Sequence, residues 1–139
     1  DLEPVVPGVQ CQRCHAGAEE HLRDPAKRPV NPGKLSARAQ VEFCGTCHRF
    51  QLPEGESAPD KVRFQPYRLA KSRCFASGKL ACTTCHEAHQ DARRNDAAFY
   101  NQRCVTCHAA PHRTGDCTGC HMPRVQLHPA LAFTDHFIR

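Results

Sequence analysis

Near its carboxyl end the chain reads Cys104-Val105-Thr106-Cys107-His108 and, starting thirteen residues later, Cys117-Thr118-Gly119-Cys120-His121. Toward the amino end the same pattern recurs as Cys82-Thr83-Thr84-Cys85-His86, Cys44-Gly45-Thr46-Cys47-His48 and Cys11-Gln12-Arg13-Cys14-His15. Ten of the 11 cysteines therefore fall in CxxC pairs, each followed directly by histidine. Random placement of this composition gives about 0.06 such pentapeptides. CxxCH is the attachment signature of c-type haem. Two thiols add across the two haem vinyl groups as thioethers, and a two-residue gap on a short helical turn matches the vinyl separation. The next residue lies under the macrocycle, where an imidazole reaches the iron as proximal ligand. The expectation is five covalent haems, tethered at Cys11/Cys14, Cys44/Cys47, Cys82/Cys85, Cys104/Cys107 and Cys117/Cys120. Their proximal ligands are His15, His48, His86, His108 and His121.

Other uses of cysteine explain less. Zinc ribbons account for the pairs but not for the histidine after each. A disulfide framework accounts for neither the fixed gap nor the histidine. A thioredoxin-like motif occurs once, beside a strand–helix unit, and no such unit is readable. Composition agrees with the haem reading. The 139 residues include no Trp, and aromatic residues are 6%. A chain this poor in apolar material needs a substitute for a side-chain core, and five porphyrin faces supply one. No run of 18 apolar residues reads as a membrane span, and no Gly-rich phosphate loop or heptad pattern is present. The net charge of +5 is scattered and gives little reason to expect nucleic acid.

Five histidines remain once the motif histidines are set aside: His21, His89, His112, His128 and His136. Five six-coordinate irons need five distal ligands, and the numbers match. His89 follows His86 by three residues and His112 follows His108 by four. On a continuing helix these pairs point the same way, so His89 and His112 are expected to ligate haems other than the adjacent ones. His21 follows a turn expected at Gly17. His128 and His136 lie in an apolar tail, Leu127 to Ile138, read as a strap over haem faces. Asp135 either orients a neighbouring imidazole or is a solvated acid or helix cap. Met122 reads as packing. Cys74, outside every pair, reads first as a free buried thiol, with an intermolecular disulfide or an iron ligand as alternatives.

Motif starts at 11, 44, 82, 104 and 117 are too unevenly spaced for a solenoid. The proline-rich stretches 24–35 and 51–72 read as irregular loops. Ser36 is placed to cap a helix running into His48, and Asn95 one running into His108, with Asp96 favourable in its first turn. Motifs four and five should be near neighbours. The fold class expected is mostly coil with short α-helices, essentially no β-sheet, and one domain over 1–139 wrapped around five haems.

The stretch Gly8-Val9-Gln10 into Cys11–His15 with His21 resembles the opening of bacterial multihaem c-type cytochromes of the doubled-CxxCH type. So does Ser72-Arg73-Cys74 with Ser77-Gly78-Lys79-Leu80 leading into the third motif and His89, and so does Cys117 to Pro123 with His128 and Thr134-Asp135-His136. The likeness spans nearly the whole chain and is most similar to the cytochrome part of multihaem proteins that often continue into tetratricopeptide repeats, although no repeat follows here. It implies a small multihaem cytochrome c with His21, His89 and His136 as distal ligands.

Bis-His iron has no open position for substrate and suits low-potential electron transfer. The expected function is a pentahaem electron carrier, not an enzyme, relaying electrons in periplasmic or extracellular respiration. Its partners would be redox proteins or an extracellular acceptor, without nucleic acid. Self-association into a conductive homopolymeric filament is one version of this reading. The alternative is a small reductase of nitrite, hydroxylamine or sulfur oxyanions with one five-coordinate haem. Arg93-Arg94 reads as an ordinary exposed pair, or as a docking face. Thioether attachment occurs outside the cytoplasmic membrane, and Asp1 is followed by no basic or apolar leader, so a mature exported protein is expected at the periplasm or cell exterior.

Overall fold

Ser36 ends a stretch rich in proline, and its hydroxyl accepts from the Ala39 N–H at 3.3 Å. That cap satisfies one of the orphan donors of a helix start, and the longest helix follows, α3, Ala37–His48. This comes from a computed structural model, which describes residues 8–52, 60–109 and 115–139. The chain divides into two units, 1–35 and 36–139.

In the first unit α1 is Cys11–Cys14 and α2 is Ala18–Arg23. They are separated by Gly17 in the left-handed region, at φ 84°, which glycine enters without steric cost. Beyond α2 the chain is irregular, as its prolines require, apart from a 3-10 turn at Pro32–Lys34. The Asn31 side chain accepts from Gly33 N–H at 2.9 Å to cap that turn.

The second unit continues from α3 through α4 (Gln65–Leu69), α5 (Arg73–Ala76), α6 (Cys82–Cys85), α7 (Ala97–Val105) and α8 (Cys117–His121). The helix expected from Asn95 is capped one residue later. Asp96 accepts from Phe99 N–H at 3.0 Å, while Asn95 takes a positive φ of 61°. Asn tolerates that conformation better than most residues, so the two neighbours divide turn and cap between them.

The loop expected over 51–72 is corrected in its described part, where a 3-10 turn (Asp60–Arg63) leads into α4. Pro66 does not interrupt this helix because it stands in the first turn, where its missing N–H has no intrahelical partner to lose. The segment is also buried. Val62, Phe64 and Leu69 join Val41 and Phe75 as buried hydrophobic side chains, and Pro66 is buried with them. Val41, Leu69 and Phe75 form one cluster, with Phe50, Leu80, Cys82 and Ile138 partly buried against it. The side-chain core is therefore small but real.

The apolar tail is not a plain strap. It forms an antiparallel hairpin of β1, Arg124–His128, and β2, Leu131–Thr134, with Val125 opposite Phe133 and an irregularity between Gln126 and His128. Val125 and Leu127 are half-buried while Arg124, Gln126 and His128 are exposed, the period of two that a one-sided strand shows. Among the described residues the fold is mostly short helix and coil with this single two-stranded sheet. Among the described residues no helix is long and apolar enough to cross a membrane.

Candidate functional site

Each CxxCH motif begins in a helix. Motifs one, three and five begin α1, α6 and α8, and motif two closes α3. Motif four starts in α7 and leaves it after Val105. In motifs one, three and four the histidine N–H donates to the carbonyl of the first cysteine, at 2.8, 2.9 and 3.0 Å. One helical turn thus carries both thiols and sets the imidazole just beyond them. None of the 11 cysteines is joined to another by a disulfide. Among the described residues no three His, Cys, Asp or Glu side chains gather into a site for a metal ion.

Four of the motifs pack in chain order. Helices α3 and α6 touch, as do α6 and α7, and α7 and α8. Between α3 and α6, the buried Gln40 Oε1 accepts from both Thr83 N–H (3.1 Å) and Thr83 Oγ1 (2.9 Å). Here the Cys82 thiol donates to Cys44. That bond brings Cys44 down to about 7 and pushes Cys82 up, so Cys44 loses its proton first. Between α7 and α8, Asn101 donates to Gly115 O at 2.5 Å and accepts from Cys117 N–H at 3.0 Å. Motifs four and five lie side by side, in keeping with their short spacing. Burial raises the Cys85 and Cys104 thiols, and the half-buried Cys74 adds to the rise in both.

The imidazoles fall into distinct environments. His15 Nδ1 bonds Val30 O at 2.8 Å and His21 Nδ1 bonds Lys27 O at 2.9 Å. In the second unit His136 Nδ1 bonds Thr134 O at 3.0 Å, and His121 Nδ1 bonds Arg139 O. Donation from Nδ1 to a main-chain carbonyl places the lone pair on Nε2, the arrangement typical of metal-ligating histidine. His15 and His21 line one cavity of about 460 Å3 with Arg28, Val30 and Lys34, within the range of cofactor pockets. Nearby in sequence, Val9 and Leu22 stay 82% and 84% exposed. A second cavity, about 750 Å3, lies beside motif two and is lined by Arg38, Gly45, Cys47, Arg49 and Phe50. The donor set, the Nδ1 anchors and two cavities beside motif residues suit covalently held haem.

His86 and His136 are close neighbours, with ring centroids 6.1 Å apart and ring planes 26° from parallel. Burial pushes both imidazoles below their ordinary value, helped by His48 at His86 and by His86, then His48, at His136. The residues behind His136 fix its backbone. The buried Ser72 hydroxyl donates to His136 O at 3.1 Å and accepts from Ile138 N–H at 2.9 Å. Asp135 Oδ1 accepts from Phe137 N–H at 3.0 Å, and the carboxylate is gripped by Arg68. Burial alone raises this carboxyl, but the Arg68 and Phe137 hydrogen bonds outweigh it and hold Asp135 below the usual range. Asp135 is thus neither a solvated acid nor the orienter of the His136 ring, whose Nδ1 goes to Thr134.

The helical argument for His89 is corrected. Helix α6 ends at Cys85 and His86 is extended (φ −115°, ψ 139°), so three-residue spacing does not set the direction of His89, which is exposed. His48, His108 and His128 are exposed as well. His128 Nδ1 accepts from Ala130 N–H at 3.5 Å, the reverse polarity of the anchored rings. His112 lies outside the described residues. Met122 is half-buried at the end of α8. Arg93 and Arg94 are both exposed, and Arg93 is held by its neighbours. It pairs with Glu87 at 2.9 Å and covers the Phe99 ring at 4.4 Å. Sequence reasoning missed Arg68, Ser72, Gln40 and Asn101, whose partners lie 14 to 67 residues away.

Compared with protein-family models, curated proteins and solved structures, the chain matches none. The likeness to multihaem cytochromes rests on the motifs themselves.

Proposed function

We propose that this chain is an electron-transfer protein carrying five covalently attached c-type haems, acting at the periplasm or cell exterior. The observation that carries the reading is the fivefold CxxCH pattern, with each motif beginning in a helix. The ten paired cysteines provide the tethers, and His15, His48, His86, His108 and His121 the proximal imidazoles. His21, His89, His112, His128 and His136 are the proposed distal imidazoles. When bound, bis-His haem supplies a one-electron ferric/ferrous couple of low potential with little change in geometry. The chain's own residues hold imidazoles by Nδ1, bring motifs two to five into contact, and place cations such as Arg28 and Lys34 beside a candidate cavity, where they suit propionates. Electrons would pass to a redox protein or an extracellular acceptor.

The test is expression with c-type maturation, followed by intact mass, haem stain and EPR. Polypeptide plus five haems, all low-spin, is the expected result. Colourless protein of bare polypeptide mass overturns the proposal. A high-spin signal from one haem in five replaces the carrier reading with the reductase one.

A further inference from the structure

Resting on the haem reading above, we infer that His86 and His136 are the two axial ligands of a single iron, that of the haem tethered at Cys82 and Cys85. Two trans imidazoles on one metal are separated by two bonds of about 2.0 Å, plus about 1.2 Å from each nitrogen to its ring centre, so their centroids lie about 6.4 Å apart. The His86 and His136 centroids are 6.1 Å apart.

Three further observations agree. His136 directs Nδ1 to Thr134 O, which leaves Nε2 as the ligand nitrogen. Its main chain is pinned on both sides, through Ser72 to its own carbonyl and to Ile138 N–H, and through Asp135 to Arg68. Both residues are half-buried, unlike the exposed His48, His89, His108 and His128. His86 belongs to motif three, so the iron it serves is the one at Cys82 and Cys85. The ligand opposite comes from the segment after β2, 50 positions along the chain. The third haem would thereby tie the carboxyl-terminal segment to α6.

The test uses full-length, haem-loaded protein. His136→Ala should retain five haems by mass and turn one of the five from low-spin to high-spin in EPR. A Cys82→Ala/Cys85→Ala variant should carry four haems, and adding His136→Ala to it should create no high-spin centre. A new high-spin centre in that four-haem background overturns the pairing, as does a His136→Ala protein whose five haems all stay low-spin. Should the cysteine variant fail to accumulate, a crystal structure of the haem-loaded wild type gives the same decision. Nε2 of both His86 and His136 on the iron at Cys82/Cys85 supports the pairing, and any other distal residue there overturns it. Failure of the underlying reading looks different, since wild-type protein of bare polypeptide mass removes both proposals at once.

Discussion

Arg68 holds Asp135 by two parallel hydrogen bonds, Nε to Oδ1 at 2.8 Å and Nη2 to Oδ2 at 2.7 Å, across 67 residues of chain. The Asp135 side chain is 4% exposed and that of Arg68 22%. A bidentate fork of this kind is geometrically specific as well as strong, and it fastens the residue next to His136 to α4.

Removing Arg68 leaves the largely buried Asp135 carboxylate with only the Phe137 N–H at 3.0 Å and the more distant Arg139 at 3.4 Å. Arg68→Ala should destabilise the haem-loaded protein by about 3 kcal/mol, read from its guanidinium midpoint. Arg68→Ala/Asp135→Asn should lose less than the sum of its single variants. Additive losses would mean the fork contributes nothing of its own.

Ser72 is 1% exposed and bridges His136 O and Ile138 N–H through one hydroxyl. Ser72→Ala leaves both main-chain groups short of a partner, at a cost of about 2 kcal/mol. Amide exchange at Ile138 should accelerate, while that at Thr83, held by Gln40, should not.

The first variable position of motif two is restricted by packing. A Cβ on Gly45 would lie 2.5 Å from Phe50 Cβ and 3.0 Å from Phe50 N. Gly45→Ala should destabilise by about 1–3 kcal/mol and lower the yield of five-haem protein. Gly119→Ala, in motif five, meets mainly the movable Asp116 carboxylate at 3.0 Å and should be tolerated better. Equal melting temperatures for the two variants would contradict this.

Asn101 joins α7 to the start of α8 with a donor and an acceptor at once. Asn101→Asp keeps the acceptor for Cys117 N–H but loses the donor to Gly115 O. Asn101→Ala loses both. Exchange of the Cys117 amide should therefore rise with Ala and change little with Asp, and the Ala variant should cost about 1 kcal/mol or more.

The sequence made the local features readable. Ser36, Gly17 and the motif turns are decided by neighbouring residues, and all three appear as expected. The cap near Asp96 was misplaced by one residue because Asn95 and Asp96 are both good cap formers. The helix at Gln65–Leu69 was hidden by Pro66, which breaks a helix interior but suits a first turn. The hairpin was hidden because its alternation starts at Arg124, upstream of the apolar run that drew attention, and each strand is only four or five residues long. At the candidate site, residue types and counts were legible. What positions them was not, because Arg68–Asp135, Ser72–His136 and Gln40–Thr83 join segments far apart in sequence, and no periodicity encodes such pairs.

The contact between the Cys44 and Cys82 thiols bears on how the protein is made. Side by side in an oxidising compartment, two unoccupied thiols are poised to couple, and a sulfur–sulfur bond between them would block both tethers. On the haem reading proposed above, ligation at motifs two and three would have to be completed before α3 closes on α6. A chain exported into cells lacking the ligation machinery should accumulate with Cys44 bridged to Cys82, visible in a non-reducing peptide map.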